Sequence, residues 1–258
     1  MSEAPRPGGL AGENPTGRFS DRAADYVKFR PSYPAAAIDA VLAGLGNPMK
    51  LVAADIGAGT GISARLLADR GVRVIAIEPN AAMREAADQH DRVEDRSGTA
   101  EATGLGDASV DLVLCAQAFH WFRQAEALAE FARVLRPGGR LALVWNDRDN
   151  DDPLTGGYNR AILAASGDHP AARRFPRPEA LFESTLFGHS REQSFAYAQE
   201  LDEAGLIGRA TSASYVPKSG AVYERLVQKL RELFRVHADG DGRVRMAYRT
   251  NVYLAERS

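Results

Sequence analysis

Short, nearly continuous apolar runs alternate with helix-patterned segments through the first 150 residues, and each run stops at a glycine or a polar residue. Leu51–Ile56, Val72–Ile77, Val110–Ala116 and Leu141–Trp145 read as buried strands. Gly61–Arg70, Ala81–Gln89 and Gln124–Leu135 read as the helices between them, the last with Ala125, Leu128, Phe131, Ala132 and Leu135 on one stripe. A weaker strand over Arg92–Gly98 completes the alternation. Strands apolar on both sides and separated by helices predict a doubly wound α/β fold around a mainly parallel sheet. Such sheets bind ligands beyond the carboxyl ends of their strands, where the strand order reverses. That directs attention to Asp55–Gly61, Glu78–Asn80, Gln117–Phe122 and Asn146–Asp152.

A chain of 258 residues, 45% hydrophobic, can bury one such domain with some added elements. Residues 1–18 read as a disordered leader, and the domain spans 19–258. A helix over Asp21–Phe29 and a second from Pro34 to about Leu45 form a leading helical lid, 19–45. After Asn146 a polar, irregular stretch predicts a cap-like insertion over about 147–200. Beyond it a helix is expected at Glu192–Ala204, a strand at Arg209–Val216, a helix at Ala221–Arg235 and a final alternating strand from Val244 to Leu254.

Thirty-four acidic and thirty-two basic residues give a net charge of −2 with no like-charge block, which speaks against a nucleic-acid partner. The single cysteine, Cys115, cannot form an internal disulfide, and no apolar run has the length of a membrane span. A cytoplasmic protein without membrane partners is expected.

Asp55-Ile56-Gly57-Ala58-Gly59-Thr60-Gly61 lies between a predicted strand and helix, where glycines admit a ligand close to the backbone and the helix start offers free N–H groups. A dinucleotide fingerprint places glycines at positions one, three and six, but here the sixth position is Ile62 and the third glycine comes one residue early. Asp55 would repel a pyrophosphate and suits an ammonium group. Glu78 follows the next strand at the spacing of a carboxylate that receives two ribose hydroxyls. Together they ask for a nucleoside with a cationic tail and no phosphates, a description met by S-adenosylmethionine and not by a nicotinamide dinucleotide.

Asp55–Gly61, Glu78-Pro79, the Val110–Ala116 strand and Leu135-Arg136-Pro137-Gly138-Gly139 resemble successive motifs of the class I S-adenosylmethionine-dependent methyltransferases. The resemblance is most specific over residues 20–150 and implies a Rossmann-like, seven-stranded sheet closed by a C-terminal antiparallel hairpin, with S-adenosylhomocysteine as product. Tyr26, Arg30-Pro31, Tyr33-Pro34, the Gln117–Phe122 run and Ser212–Tyr215 are similar to small-molecule methyltransferases of the trans-aconitate type.

By that resemblance, Asp55 orients the glycine loop or meets the cofactor ammonium, and Gly57, Gly59 and Gly61 give room for the methionine portion. Glu78 takes the ribose hydroxyls, with Pro79 and Met83 along the adenine; Met83 suits the core equally well. Thr99, Ala100 and Glu101 stand where relatives hold the adenine amino group, many with an aspartate at the Thr99 position. Gln117 faces the cofactor by its backbone, and Tyr26 and Arg30 belong to the segment that closes over it. Arg30 is a candidate for the methionine carboxylate, for an anionic substrate or for surface pairing.

The substrate pocket is expected from Tyr33, His120, Trp121, Phe122 and Asn146. His120 is the candidate catalytic residue, as proton acceptor for a hydroxyl or amine, or else a hydrogen-bonding wall of the pocket. The run after Gln117 lacks the Asn/Asp-Pro-Pro-aromatic motif of relatives that methylate adenine or glutamine amides. The remaining histidines show no metal-ligand spacing, so no metal is expected. The expected activity is in-line methyl transfer to a small molecule, with O-methylation of a carboxylate or hydroxyl favoured. The alternatives are a non-catalytic S-adenosylmethionine-binding protein and a methyltransferase acting on a macromolecule. The acceptor and the oligomeric state are left open.

Overall fold

In the computed structural model, residues 28–167, 169, 177–213 and 215–258 are described. Tyr26, Ser214, the leader and most of the expected helix over 21–29 lie outside them. Helix α1 (Ala35–Leu42) starts behind Pro34, whose fixed φ and missing N–H suit a first turn. The chain then alternates through β1 (Val52–Ile56), α2 (Ile62–Ala68), β2 (Arg73–Ile77), α3 (Ala81–Glu85), β3 (Val93–Arg96), β4 (Val110–Ala116), α4 (Gln124–Val134) and β5 (Leu135–Arg148). Past it come α5 (Pro153–Ser166), α6 (Glu179–Phe182), β6 (Phe187–Leu201), α7 (Glu203–Thr211), α8 (Gly220–His237) and β7 (Val244–Arg257).

The strands form one seven-stranded sheet in the order β3-β2-β1-β4-β5-β7-β6. β1 to β5 are mutually parallel, and β7 runs antiparallel between β5 and β6. The order reverses between β1 and β4, so a crevice is expected at their carboxyl ends. Alternation along the strands divides the core. Ile56, Ile77, Val113, Cys115, Leu143 and Trp145 pack on one face with Leu128 and Phe131 of α4. Ala53, Val74, Leu112, Leu114 and Val144 pack on the other with Ile38 and Val41 of α1 and Leu67 of α2. A third cluster joins α5, α7 and α8 to Leu201, Val244, Met246 and Tyr248 at the far end of the antiparallel strands.

Several expectations are corrected. Glu192–Ala204, expected as a helix, is largely the second half of β6, which pairs with β7 from Phe187↔Arg257 to Leu201↔Val244. Its Ala, Gln and Glu residues favour helix intrinsically, but this is an edge strand whose ladder to β7 decides the outcome. Arg209–Val216, expected as a strand, belongs to α7 and the turn after it. Gly205, just past the expected helix, lies in the first turn of α7, where its N–H donates to the Asp202 cap at 2.7 Å. The closing antiparallel pair is therefore β6–β7. The start of β5 also moves: Leu135 pairs with Val110, and a bulge carries Arg136-Pro137-Gly138-Gly139 before pairing resumes at Arg140. Within the stretch expected to be irregular, α5 forms a 14-residue helix behind the Asp152 N-cap and Pro153.

Candidate active site

The β1–α2 turn is built from three left-handed glycines, Gly57 (φ 70°), Gly59 (φ 59°) and Gly61 (φ 74°). Gly57 and Ala58 donate their N–H groups to the Ile77 carbonyl at 2.8 and 3.2 Å, which fastens the turn to the end of β2. At Gly57 a Cβ would meet the Ala118 Cβ at 2.7 Å and the Phe122 ring at 3.1 Å, so glycine lets the loops after β1 and β4 touch.

Asp55 sits beneath this turn, wholly buried. Its Oδ2 accepts from the Ser63 hydroxyl at 2.6 Å, while Oδ1 has no hydrogen-bond partner among the described residues. Burial is the main cause that raises its carboxyl to about 7, opposed by Ser63 and the Ala64 N–H and assisted by Glu78 and Asp95. Glu78 folds back on the glycine turn: Oε2 accepts from the Gly59 N–H at 3.0 Å and Oε1 from the Asn80 N–H at 2.9 Å. Burial raises its pKa, and those two donors and Arg84 restrain the rise. Two carboxylates thus flank one loop, one aimed from below and one across its top.

The neighbouring residues divide. Pro79 is half-buried beside Glu78, and the Asn80 side chain caps α3 by accepting from the Met83 N–H at 3.2 Å. The Met83 side chain is core, 3% exposed. Thr99 and Ala102 exchange backbone hydrogen bonds, with Thr99 exposed and Ala100 buried. Glu101 turns toward α4, accepting from the Arg123 N–H at 2.9 Å.

At the end of β4, Gln117 has φ 58°, a strained conformation for a residue with a side chain. Its N–H is fixed to the Val144 carbonyl at 2.8 Å and its amide reaches the Asn146 carbonyl at 3.3 Å. A 3-10 turn, Phe119–Trp121, follows. The Trp145 indole N–H donates to His120 Nδ1 at 3.3 Å, and burial pushes the imidazole down to about 3. The ring is therefore neutral, with its proton on Nε2 and its acceptor nitrogen already engaged. Trp121 lies 5.0 Å from His120, ring to ring. Phe122 packs edge-on to Phe119 and Phe131.

The leading segment is tied across these strand ends. Asn146 Nδ2 donates to the Ser32 carbonyl at 2.9 Å, and Asn146 Oδ1 accepts from Thr250 at 2.6 Å. Gln199 of β6 donates to the Phe29 carbonyl at 3.0 Å. Tyr33 is buried with α1, and Arg30 lies half-buried, close enough to Tyr215 to act on its charge.

The sequence marked the loops, Asn80 among them, but not how they are oriented. Ser63 holds Asp55 from the buried face of α2, Asn80 caps α3, and Trp145 sets the His120 ring. Helical spacing put Ser63 near the loop; nothing local connected Trp145 to His120. Among the described residues no group of three His, Cys, Asp or Glu side chains gathers as a metal-ligand set, and no helix is long and apolar enough to cross a membrane.

A sheet whose order reverses at a glycine turn, with one carboxylate beneath it and one across it, belongs to the doubly wound α/β class, which binds ligands at that crevice. The comparisons with known proteins narrow it. A family described as "Methyltransferase domain" matches residues 54–143. An uncharacterised methyltransferase of Mycobacterium tuberculosis is 38% identical over 227 residues, covering 85% of this chain and 86% of the relative. A methyltransferase-like protein of Schizosaccharomyces pombe is 31% identical over 244 residues, covering 93% and 95%. A solved structure provisionally named a type II methyltransferase, from Anaeromyxobacter dehalogenans, aligns with TM-score 0.58 and 27% identity over 89% of this chain and 97% of its own. The chain belongs to the class I S-adenosylmethionine-dependent methyltransferase family.

Proposed function

We propose that this methyltransferase acts on a small-molecule acceptor and methylates oxygen, a carboxylate before a hydroxyl. Within this reading, Asp55 Oδ1 faces the cofactor ammonium, and the glycine turn takes the methionine portion. Glu78, with both oxygens already oriented by N–H donors, receives the ribose hydroxyls. The Oδ1 without a partner among the described residues, beneath a turn of left-handed glycines, is the feature that fits this group. Pro79 and Ala100 flank the adenine, Gln117 turns its strained backbone to the cofactor, and Arg30 lies with the closing segment. S-adenosylmethionine supplies, when bound, a methyl group on a sulfonium that leaves as the neutral thioether S-adenosylhomocysteine.

The residues of the chain then align and exclude. Alignment of two reactants is worth about 7–11 kcal/mol in a well-oriented pair. The observation that carries the acceptor class is the state of His120. A neutral imidazole whose conjugate acid has a pKa of about 3, with Nδ1 occupied by Trp145, is a poor proton acceptor. An acceptor that arrives already ionised, a carboxylate, needs no base, and His120 then serves as a hydrogen-bond donor beside Trp121 and Phe122. The ties from Asn146 and Gln199 to the leading segment support an enclosed site suited to a small molecule.

The test is calorimetric titration with S-adenosylmethionine and S-adenosylhomocysteine, followed by an acceptor screen scored by methyl-ester formation. Glu78→Ala removes two charge-assisted contacts and releases the glycine turn, so cofactor affinity should fall about 10–100-fold. Unchanged affinity would remove Glu78 from the site. Product found only on nitrogen or on a macromolecule would overturn the acceptor assignment.

A further inference from the structure

At the carboxyl end of β5 and past it, the half-buried carboxylates Asp147, Asp149 and Asp152 are spent on Asn251, Arg249 and Thr155, whereas two arginines beside them are not spent on carboxylates. Arg148, the last residue of that strand, donates Nη1 to Asn159 of α5 and Nη2 to the Tyr215 hydroxyl at 3.4 Å. Its guanidinium lies 5.4 Å from the centre of the Tyr158 ring. Arg209 of α7 is only 5% exposed, yet its Nε and Nη1 have no hydrogen-bond partner among the described residues. The Tyr158 hydroxyl, fully buried, is likewise unpartnered there. Among the described residues no carboxylate pairs with Arg148 or Arg209, and Arg209 meets only the Tyr248 hydroxyl. Burial alone would raise the Tyr215 phenol, but Arg148, Arg30 and Arg209 hold it below its ordinary value, so three guanidinium groups act on one hydroxyl.

Elsewhere the fold satisfies a buried arginine completely. Arg140 spends its donors on the Val41 and Ala43 carbonyls and on Glu256. Leaving a guanidinium buried without a counter-charge is strongly unfavourable. Among the described residues nothing fills that role at Arg209, and the contrast points to a place for an anion.

We propose that Arg148, Arg209, Tyr158 and Tyr215, with Arg30 alongside, hold an anionic group of the acceptor, a carboxylate or a phosphate. The inference rests on the reading of the acceptor as a small molecule bound at the strand ends. The cluster is well placed for it. Asn146, whose carbonyl takes the Gln117 amide, lies on the same strand face as Arg148. Arg148 stands about 10 Å along β5 from Trp145, at ~3.3 Å per residue. An oxyanion forked by guanidinium groups has its lone pairs engaged and is a poor nucleophile. The group held here is thus an anchor, and the methylated oxygen is a second group on the same molecule, set nearer the glycine turn.

The probes are glutarate and inorganic phosphate, titrated by calorimetry into protein saturated with S-adenosylhomocysteine. The variants are Arg148→Met and Tyr158→Phe, the second removing one hydroxyl and no packing. At least one probe should bind the unsubstituted protein, weakened about tenfold or more by Arg148→Met and several-fold by Tyr158→Phe, while S-adenosylhomocysteine affinity stays within twofold. Glutarate alone would identify a carboxylate anchor, and phosphate alone a phosphate one. Binding of neither anion by protein that binds S-adenosylhomocysteine would overturn the inference, as would binding unchanged in both variants. Failure of folded protein to bind S-adenosylhomocysteine would overturn the functional reading, and this inference with it.

Discussion

A carboxylate as deeply buried as Asp55 must be neutral or find a cation, and its two oxygens divide the alternatives. Oδ2 is committed to Ser63; Oδ1 faces nothing that donates among the described residues. Its pKa of about 7 lies above the ordinary 3.8, so its contribution to stability is fully present below about pH 4 and is lost as pH rises through 7. A shift of this size corresponds to about 4 kcal/mol. Urea unfolding of the cofactor-free protein across that window should show this falling limb, and Asp55→Asn should flatten it. Cofactor binding should show the opposite slope. An ammonium facing Oδ1 needs the ionised form, so S-adenosylhomocysteine affinity should rise toward pH 7, by at most about tenfold per unit, and level off above it. A flat profile in the unsubstituted protein would mean that Asp55 only shapes the loop. Asp55 and Glu78 were legible in the sequence because their chemistry follows from spacing to a glycine turn. Arg148, Arg209 and Tyr158 were not, because they come from three separate elements that only the folded chain brings together.

At the scale of elements, the parallel half of the sheet and the alternating β7 announced themselves, and β6 did not. β1, β2, β4 and the core of β5 are apolar on both faces, a pattern no surface helix shows. β6 is an edge strand, mostly exposed or half-buried, so its composition followed solvent more than fold. α7 carried two glycines, and one has a packing reason. A Cβ at Gly208 would lie 2.5 Å from the Phe29 ring, so the leading segment docks on α7 through a missing side chain. Gly208→Ala sets two effects against each other. Helix propensity favours alanine by about 1 kcal/mol, whereas the clash costs about 1–3 kcal/mol unless Phe29 swings away. Either way the segment undocks or strains. The expected outcome is faster proteolytic cleavage near Phe29 and weaker S-adenosylhomocysteine binding, with global stability within about 2 kcal/mol of the unsubstituted protein. Unaltered cleavage and affinity would show that the segment takes no part in closing the site.

At the scale of the whole molecule, one buried side chain outside every motif ties α1 to the antiparallel strands. Arg140 lies on β5 where pairing resumes after the bulge, and it is 4% exposed. Nη1 donates to Val41 at 2.8 Å and to Ala43 at 2.7 Å, satisfying carbonyls at the C-terminal end of α1. Nη2 meets Glu256 of β7 at 3.0 Å, and Arg191 of β6 meets the same carboxylate at 3.0 Å. One guanidinium thus ties the helix behind the leading segment to the antiparallel strands that carry the other side of the site. Burial tends to raise the Glu256 carboxyl, but Arg140 and Arg191 outweigh it and hold it low. Arg140→Met keeps the volume and removes the charge, leaving two helix-end carbonyls and a half-buried carboxylate short of partners. Breaking a buried pair from one side costs about 3–5 kcal/mol, a large fraction of the ~5–15 kcal/mol that holds a domain together. Denaturant unfolding should register that loss, and the cooperative transition should persist because the strand ladders are untouched. In Arg140→Met/Glu256→Gln part of the loss should return, since the half-buried carboxylate left with Arg191 alone is neutralised while the carbonyls remain unpaired. No recovery in the double variant would place the whole cost at α1, making Arg140 a helix cap.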